Sequence, residues 1–393
     1  MTAAQAGFQY LSSRSKVLSR PGALDSLAEE VEAIGAQRLM LVSGTRSAES
    51  AAARAARAVL GTLIVCEASG VPQHSGVTTV ESIAARARKH GVDGFVVVGG
   101  GSASDSAKAA AILLAEGGKL ADHANVFYPP DRYVQRVLNR PKLPIIAIPT
   151  TLSAAEVTPG LGISDHHGHK LVFWDHHLVP RLIVLDGRAT RDVPADLFAR
   201  TGMNALAHCI EGIYSRVRNP VSEGLALQGI RVLRAALAQV IDRPDDEDAR
   251  ADALVGAYLS GMVISNARVG IHHGICHGLG SLGGLPHGVA NSIMLPHAMR
   301  FNLEVAAEHL TLVAQALGAD TRGMTPLAAA DAAIAAVQAL QHRLGVPQRL
   351  SDAGLDRALL PRLAKGAMSD RGLHFNPRLA SEAEVLLLLE AAW

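Results

Sequence analysis

The chain has 393 residues, of which 49% are hydrophobic and 19% are charged, so it can form two or three packed domains and is not a disordered protein. Its 37 Lys and Arg residues balance 36 Asp and Glu residues, and a net charge of +1 gives no sign of nucleic-acid or membrane binding. Three cysteines exclude a disulfide scaffold and a cysteine-rich zinc module, whereas 17 histidines outnumber the seven Phe, two Trp and five Tyr residues together.

The sequence predicts no targeting or membrane segment. The first twenty residues contain no continuous apolar stretch, so a secretory signal is not expected. The best candidate for a membrane span, Val269–Met299, has no charged residue but contains seven Gly, two Pro and five His, which disfavour a bilayer-crossing helix. We therefore expect a cytoplasmic protein and interpret the histidine-rich stretch as a buried site.

The first half of the chain alternates short apolar strands with helical patterns. Strands are predicted at Arg38–Val42, Leu63–Cys66, Gly94–Val98, Pro144–Ile148, His169–Phe173 and Leu182–Leu185. Helices are predicted at Ala23–Ile34, Ser47–Leu60, Val80–His90 and Ser104–Ala115. This alternation is typical of βαβ units on a parallel sheet.

After about residue 188 the apolar residues recur at helical spacing, with little strand signal. Helices are predicted at Phe198–Arg216, Pro220–Ile241, Ala249–Ala267, Leu303–Leu317, Pro326–Leu344 and Ser381–Ala392. The sequence thus predicts an α/β domain at residues 1–188 and a helical domain at residues 189–393, with the boundary near Asp186–Pro194.

Two segments of the first half are candidate binding loops. The strand ending at Val98 runs into Gly99, Gly100, Gly101 and Ser102, and a helix follows at once. Glycines let the backbone approach a phosphate, and a helix N-terminus favours an anion, so we favour a diphosphate site over a simple tight turn. In the helix that follows, Lys108 is expected to be exposed or ion-paired rather than a phosphate ligand.

The second segment follows the next predicted strand and reads PTTLSAAE. Its hydroxyl groups belong to Thr150, Thr151 and Ser153, at the edge where open α/β sheets bind ligands. The alternative, that these hydroxyls only satisfy backbone groups of a turn, is equally compatible with this segment.

The histidines of the second half follow a pattern. Asn204 and His208 stand four residues apart on a predicted helix, His273 and His277 share that spacing, and His287 follows behind a glycine-rich turn. Imidazole suits both zinc and iron, so converging side chains of this kind indicate a metal site.

Other histidines are expected to have no part in the site. His272 is interpreted as a neighbour of the cluster, and the doublets His166–His167 and His176–His177 as solvated.

Taken together, these segments resemble the iron-containing alcohol dehydrogenase family. The matching segments, which cover most of the chain from about Gly22 onward, are GGGSASDSAK at Gly99–Lys108, PIIAIPTTLSAAEVTP at Pro144–Pro159, GMNALAHCIEGIYS at Gly202–Ser215 and HHGICHGLGSLGGLPHGVANSIMLPHAMRFN at His272–Asn302.

The resemblance implies an N-terminal dinucleotide-binding domain, a C-terminal helical domain and an active site between them. It implies that the GGGS turn and the two threonines bind NAD or NADP. It also implies metal ligands at Asn204, His208, His273 and His287, and a histidine near the nicotinamide, His277, that is not a ligand. His208, His273 and His277 are therefore the candidate catalytic residues.

Asn204 departs from the family pattern, which has Asp at this position. Because an amide lacks the carboxylate's negative charge, we expect weaker binding of Fe²⁺ or Zn²⁺. Asn at this position with HHxxCH resembles the maleylacetate reductase branch, which is generally metal-independent. Asp105, a further candidate cofactor residue, is instead more like the alcohol dehydrogenases.

A second departure concerns the cofactor. NAD-specific members of the family carry an acidic residue after the second strand, where this chain has Gly44 followed by Thr45 and Arg46. Without a carboxylate to repel a 2′-phosphate, we expect NADP(H) to be accepted.

Three hypotheses remain at the level of sequence. The first is a metal-dependent alcohol dehydrogenase or aldehyde reductase, and the second is a metal-independent maleylacetate-type reductase. For a dicarboxylate, Arg268 and Lys170 are the hypothetical cationic partners. The third is a zinc hydrolase that uses the histidines without a nicotinamide, although no HExxH motif is present. In each case we expect a small-molecule substrate and a homodimer.

Overall fold

The computed structural model describes residues 7–73, 75–128, 132–166 and 169–393. The strands are β1 Lys16–Ser19, β2 Leu39–Gly44, β3 Ile64–Val71, β4 Gly94–Gly99, β5 Val126–Tyr128, β6 Arg132–Val134, β7 Ile145–Pro149, β8 Gly160–Ser164, β9 Lys170–Trp174 and β10 Leu182–Leu185. The helices of the first half are α1 Leu27–Ile34, α2 Ala51–Leu60, α3 Val77–Lys89 and α4 Gly101–Glu116. Those of the second half are α5 Ala195–Tyr214, α6 Pro220–Asp242, α7 Glu247–Ala267, α8 Ile271–Ser281, α9 His287–Asn302, α10 Ala307–Ala316, α11 Pro326–Leu344, α12 Leu360–Ala367, α13 Gly372–Phe375 and α14 Glu382–Ala392.

A six-stranded parallel sheet forms the centre of the first half, in the order β1-β10-β7-β4-β2-β3. Strands β4, β7 and β10 are buried along their whole length. They are buried because they are apolar on both faces, as expected of parallel strands covered on both sides by helices. The predicted α/β fold is confirmed, and the sheet order places the carboxyl ends of β2, β4 and β7 side by side.

The prediction for the sheet was incomplete in two places. Strand β1 pairs with β10 at the edge, and its four half-exposed residues give only a weak strand signal. Strand β9 is confirmed as a strand, but it lies outside the parallel sheet in an antiparallel pair with β8. Gly160 and Gly162 weaken the strand pattern of β8. The hairpin nevertheless needs them, because an added Cβ would contact Trp174 of β9 at Gly160 and Lys170 of β9 at Gly162.

The second half is helical, as predicted. Helices α5, α6 and α7 pack closely through glycines of α5. A Cβ added to Gly202 would lie 2.3 Å from Leu237 of α6, and a Cβ added to Gly212 would lie 2.1 Å from Val263 of α7. A separate apolar cluster joins α8, α9, α12 and α14. Within the described residues, α6 is the one single helix long and apolar enough to cross a membrane, and it packs here against α5 and α7 as a core helix.

Candidate active site

The glycine turn lies where β4 ends. Gly99 has a φ of +147°, and an added Cβ would lie 2.9 Å from the Ser47 hydroxyl. At Gly100 an added Cβ would lie 2.7 Å from the hydroxyl oxygen of Thr151. Both positions therefore require glycine for steric reasons. Helix α4 begins at Gly101, so the unpaired N–H groups of its first turn lie at the carboxyl edge of the sheet, an arrangement that binds anions.

The other candidate cofactor residues surround this turn. The Thr150 N–H donates to the Gly99 carbonyl at 3.1 Å, which ties the end of β7 to the end of β4. Ser153 lies near Gly101, where an added Cβ would be 3.7 Å from its hydroxyl oxygen. Gly44 ends β2 and lies next to Gly99. A Cβ added to Gly99 would be 3.6 Å from the Gly44 nitrogen.

Three more residues of this region have defined positions. Ser102 stands half-buried in the first turn of α4, and Asp105 accepts a hydrogen bond of 3.1 Å from the Gly162 N–H on β8. Thr45 and Arg46 are exposed just beyond β2.

Lys108 was expected to be exposed or ion-paired, and the first of these alternatives is wrong. Its side chain is fully buried, and Nζ donates to the carbonyls of Ala155 and Thr158 at 2.6 and 2.5 Å. The helix face that carries Lys108 is covered by the loop between β7 and β8, so the ammonium finds backbone acceptors in place of water.

Four histidines from three helices form one cluster. His208 of α5 stacks on His273 of α8 with ring centroids 4.7 Å apart. His287, the first residue of α9, lies 5.8 Å from His273 and 5.9 Å from His277. The structure thus brings together the four histidines that the sequence analysis singled out, and Asn204 joins them with its side-chain oxygen 3.3 Å from His273 Nε2.

Outer partners fix the orientation of two of these rings. Ser260 donates its hydroxyl proton to the Ala257 carbonyl, so it accepts from His208 Nδ1 at 3.3 Å. His273 Nδ1 donates to the carboxylate of Glu211. In both rings the proton therefore lies on Nδ1, and the Nε2 lone pair is free for a ligand.

Glu211 is a residue whose role the sequence analysis missed. It is fully buried, and its Oε1 accepts the N–H groups of Gly270 and His272 at 2.8 and 3.1 Å, while Oε2 faces His273. Burial alone would raise the pKa of Glu211, but His273 and His272 hold it below its usual range. A carboxylate on an otherwise apolar helix face, three residues after His208, is the signal that could have found it.

Glu211, His272 and His273 place ligand-type atoms within 4.8 Å of one another. We interpret this trio as support for His273 rather than as a metal site. Both Glu211 oxygens are already occupied, and His272 Nε2 donates to the Asn291 carbonyl at 3.0 Å. His272 is therefore a buried neighbour of the cluster.

Asp370 is the second residue that the sequence analysis missed. It comes from the turn before α13, and its Oδ2 accepts from His277 Nδ1 at 2.7 Å, while Oδ1 accepts from the Gly372 N–H at 2.7 Å. No local pattern reveals this pair, because 93 residues separate its members. His277 is half-buried, with 35% of its side chain accessible, so its Nε2 is open to a substrate.

The other three rings are neutral at pH 7. Burial lowers the pKa of His208 and of His287 well below the usual value. Burial also lowers the pKa of His273 to about 4, although the nearby Glu211 carboxylate opposes that shift. Neutral imidazole is the form that binds a transition metal.

This donor set fits Fe²⁺ or Zn²⁺, since three neutral imidazoles and an amide oxygen are ligands for both metals. Asn204 is also compatible with a site that holds no metal. Its amide can turn to donate an N–H to His273 Nε2, whereas a carboxylate at this position would face the lone pair with no proton to donate.

The two cationic residues considered for a dicarboxylate, Arg268 and Lys170, both lie near strand β9. The Arg268 guanidinium stacks over the Trp174 ring at 3.9 Å. Lys170, on the same face of β9 as Trp174, is close enough to His287 and Asp370 to lower the pKa of each.

The remaining histidines agree with the sequence analysis where they are described. His166, His176 and His177 are exposed, whereas His167 lies outside the described residues.

Comparisons with known proteins cover nearly the whole chain. Iron-containing alcohol dehydrogenase matches residues 14–187, and the C-terminal part of the Fe-containing alcohol dehydrogenase family matches residues 198–393. Lactaldehyde reductase of Escherichia coli (strain K12) is 32% identical over 378 residues, which are 95% of this chain and 96% of that protein. Maleylacetate reductase of Burkholderia cepacia is 31% identical over 380 residues, 96% of this chain and 95% of that protein.

A solved structure of 1,3-propanediol oxidoreductase superposes with a TM-score of 0.92 at 30% identity, covering 98% of this chain and all of that one. These matches agree with the parallel sheet, the helical second half and the histidine cluster. The chain therefore belongs to the iron-containing alcohol dehydrogenase family and is an oxidoreductase of the nicotinamide-dependent dehydrogenase and reductase type.

Proposed function

We propose that this enzyme transfers a hydride between C4 of NAD(P)(H) and the carbonyl carbon of a small aldehyde or ketone, beside the cluster of His208, His273, His277 and His287. The observation that carries this proposal is the direct connection between the two candidate binding regions. The Leu152 N–H, inside the loop after β7, donates to the Thr201 hydroxyl, which stands on α5 three residues before Asn204. This hydrogen bond supports a single cleft for the coenzyme and the histidines.

The coenzyme would bind with its diphosphate at the turn formed by Gly99, Gly100, Gly101 and Ser102. Thr150, Thr151, Ser153, Asp105 and Gly44 would form the remainder of its site. Because Gly44 presents no carboxylate and Arg46 is exposed beside it, NADP(H) is accepted as well as NAD(H).

His277 would give a proton from Nε2 to the substrate oxygen as the hydride arrives at carbon. Asp370 holds Nδ1 and its carboxylate stabilises the imidazolium that carries the proton, so Nε2 points away from the carboxylate, and the ring is left neutral, with its proton on Nδ1, after the transfer. His208 and His273 are buried and His287 is half-buried, so these rings would shield the other side of the substrate from water.

A divalent metal, when bound, would be held by Asn204, His208, His273 and His287 and would polarise the substrate oxygen as a Lewis acid. Glu211 and Ser260 keep two of these imidazoles in the tautomer that presents Nε2.

A second candidate function is metal-independent reduction of the carbon–carbon double bond of maleylacetate. The amide of Asn204 favours it, because it can satisfy His273 without a metal. Lys170 favours it too, since a cation next to Asp370 and His287 is suited to a substrate carboxylate. The family assignment leaves no observation in favour of a zinc hydrolase.

Steady-state assays with NADH and NADPH test both candidates. The panel is short aldehydes, primary alcohols in the reverse direction, and maleylacetate, each before and after complete removal of metal by a chelator. The first function predicts aldehyde turnover that falls on chelation and returns with Fe²⁺ or Zn²⁺. Turnover of maleylacetate that survives chelation supports the second candidate and contradicts the first. We expect the active form to be a cytoplasmic homodimer.

A further inference from the structure

Residues 150–158, here called the coenzyme loop, connect three parts of the molecule. Thr151 lies against the glycine turn at Gly100, and the Leu152 N–H bonds to α5. Val157 packs on α7, where an added Cβ at Gly261 would lie 2.5 Å from the Val157 Cβ. The residue before Gly261 is Ser260, the hydrogen-bond partner of His208. The position of this loop therefore affects both the coenzyme region and the histidine cluster.

The coenzyme loop contains a strained residue. Ala154 is fully buried and has a φ of +58°, a left-handed conformation that is unfavourable for a residue with a Cβ. Such a conformation persists only where contacts on both sides hold the backbone in place, and it is found most often near functional sites.

The Leu152 N–H bond to Thr201 holds the N-terminal side, and Lys108 supplies the contacts on the C-terminal side. It stands on α4, whose first turn begins at Gly101, and its Nζ donates to the carbonyls of Ala155 and Thr158 on the C-terminal side of the strained residue. No part of the ammonium side chain is exposed. Burying a charge costs free energy that an apolar residue of similar size would not lose.

The carboxyl groups of Glu156, which is buried, and Asp105, which is half-buried, partly balance this charge. Burial lowers the pKa of Lys108 to about 8, while Asp105 and Glu156 oppose that shift. Burial raises the pKa of Glu156 to about 7, and Lys108 opposes that shift in turn. The charged ammonium is thus kept at a position where its burial costs free energy. What the charge provides there is hydrogen bonding to two carbonyl groups of the coenzyme loop.

We propose that Lys108 is a positioning residue for the coenzyme: it fastens the coenzyme loop to helix α4, so that the loop hydroxyls and the glycine turn keep the spacing that NAD(P)(H) requires. This inference rests on the proposed function, in which the glycine turn and the coenzyme loop bind the nicotinamide coenzyme. Lys108 does not itself touch the coenzyme.

The test compares Lys108→Met with Lys142→Met. Lys142 is a matched control because it is also a fully buried lysine of the α/β domain, paired with Glu116 at 2.7 Å and Asp175 at 3.1 Å. For wild type and both variants we would measure the Kd of NADH and NADPH by fluorescence and the KM of coenzyme and carbonyl substrate. Hydrogen exchange of residues 150–158 would be followed without coenzyme.

Lys108→Met should raise the Kd and KM for coenzyme by about tenfold or more, while the KM for the carbonyl substrate changes by less than about threefold. The amides of the coenzyme loop should also exchange faster. Lys142→Met should lower the Tm and leave the coenzyme Kd and the loop exchange as in wild type. Lys108→Gln, which keeps a shorter donor, should fall between wild type and Lys108→Met.

The outcomes separate the two proposals. If the wild-type protein binds neither NADH nor NADPH, the proposed function fails. If wild type binds coenzyme and a folded Lys108→Met or Lys108→Gln variant binds it equally well, the role of Lys108 is wrong. If neither Lys108 variant folds, the proposal is also overturned, because Lys108 then maintains the fold rather than the spacing of one loop.

Discussion

Asn204 is the residue on which the chemistry of this site depends most. Its amide lies against His273 Nε2, in a cluster where the low pKa values of His208, His273 and His287 favour neutral rings. A carboxylate at the same position would add a negative charge to the ligands and bind a cation more strongly. We therefore propose that the side chain at position 204 decides between a metal-binding site and a site that satisfies its own hydrogen bonds.

Asn204→Asp should raise the affinity for Fe²⁺ or Zn²⁺ by on the order of 10- to 100-fold. Metal content after dialysis against a graded series of chelator concentrations measures the change. Asn219→Asp is the control, because Asn219 caps α6 and Asp caps a helix equally well. Metal affinity equal to that of wild type in Asn204→Asp would show that position 204 is not a ligand.

Glu211→Gln should lower kcat/KM by about tenfold or more, because a residue that hydrogen-bonds a functional histidine fixes its tautomer and orientation, and its loss typically lowers activity by that factor. The Gln oxygen can still accept from Gly270 and His272, but its NH2 group then faces His273 Nδ1. The proton of His273 must move to Nε2, where it blocks the lone pair. Glu116→Gln, which loses a lysine contact remote from the cluster, is the control, and equal kcat/KM in both variants would refute the role of Glu211.

Gly44→Asp should lower kcat/KM for NADPH by about tenfold or more and leave or improve that for NADH, because a carboxylate repels a 2′-phosphate and accepts from a ribose hydroxyl. The added Cβ must displace the Ser47 hydroxyl slightly, since it would lie 3.3 Å away. The ratio of the two kcat/KM values measures the change. An unchanged ratio would place the ribose elsewhere.

Single residues also show where sequence reasoning stops. The spacing of Asn204 and the four histidines was readable because helix periodicity places such residues on one face. Glu211 was overlooked because its partners, the N–H groups that open α8, belong to a distant element. Asp370 was unpredictable because its contact depends on how the last quarter of the chain folds back.

At the scale of elements, buried parallel strands and long amphipathic helices were predicted correctly, since their apolar patterns are strong. The elements without a prediction were β1, β5, β6, β8, α8, α9, α12 and α13, and two of the strands show why a pattern can be weak. β1 is short and half-exposed, and β8 contains two glycines that the hairpin needs for Trp174 and Lys170. The close contact of α5 with α7 was also not predictable from either helix alone, although it places Ser260 beside His208.

Gly212→Ala tests that contact. The new Cβ would lie 2.1 Å from Val263 Cγ1, so the variant should lose about 1–3 kcal/mol of unfolding free energy through overpacking. Val263→Ala removes the clashing methyl groups, and the double variant should be more stable than the sum of the single effects by roughly 0.5–3 kcal/mol. Urea unfolding measures all three variants, and strictly additive effects would contradict the proposed contact.

At the scale of the whole molecule, the site exists because two differently built halves meet. The parallel sheet presents the glycine turn at its carboxyl edge, and the helical half supplies the imidazoles from α5, α8 and α9. The coenzyme loop joins the two through Leu152 and Val157. This arrangement was predictable in outline. The sequence shows a change from alternating strands and helices to helices alone near residue 188, and it shows the glycine and histidine segments.

In the proposed function, the substrate carbon receives its hydrogen directly from the coenzyme, beside the histidine cluster. Turnover of an accepted carbonyl substrate with NADH or NADPH deuterated at C4, on the face that is transferred, followed by mass spectrometry of the product, tests it most directly. We predict one deuterium on the former carbonyl carbon, in ordinary water, at near-complete transfer. A product without deuterium, formed while coenzyme is oxidised, would contradict the account.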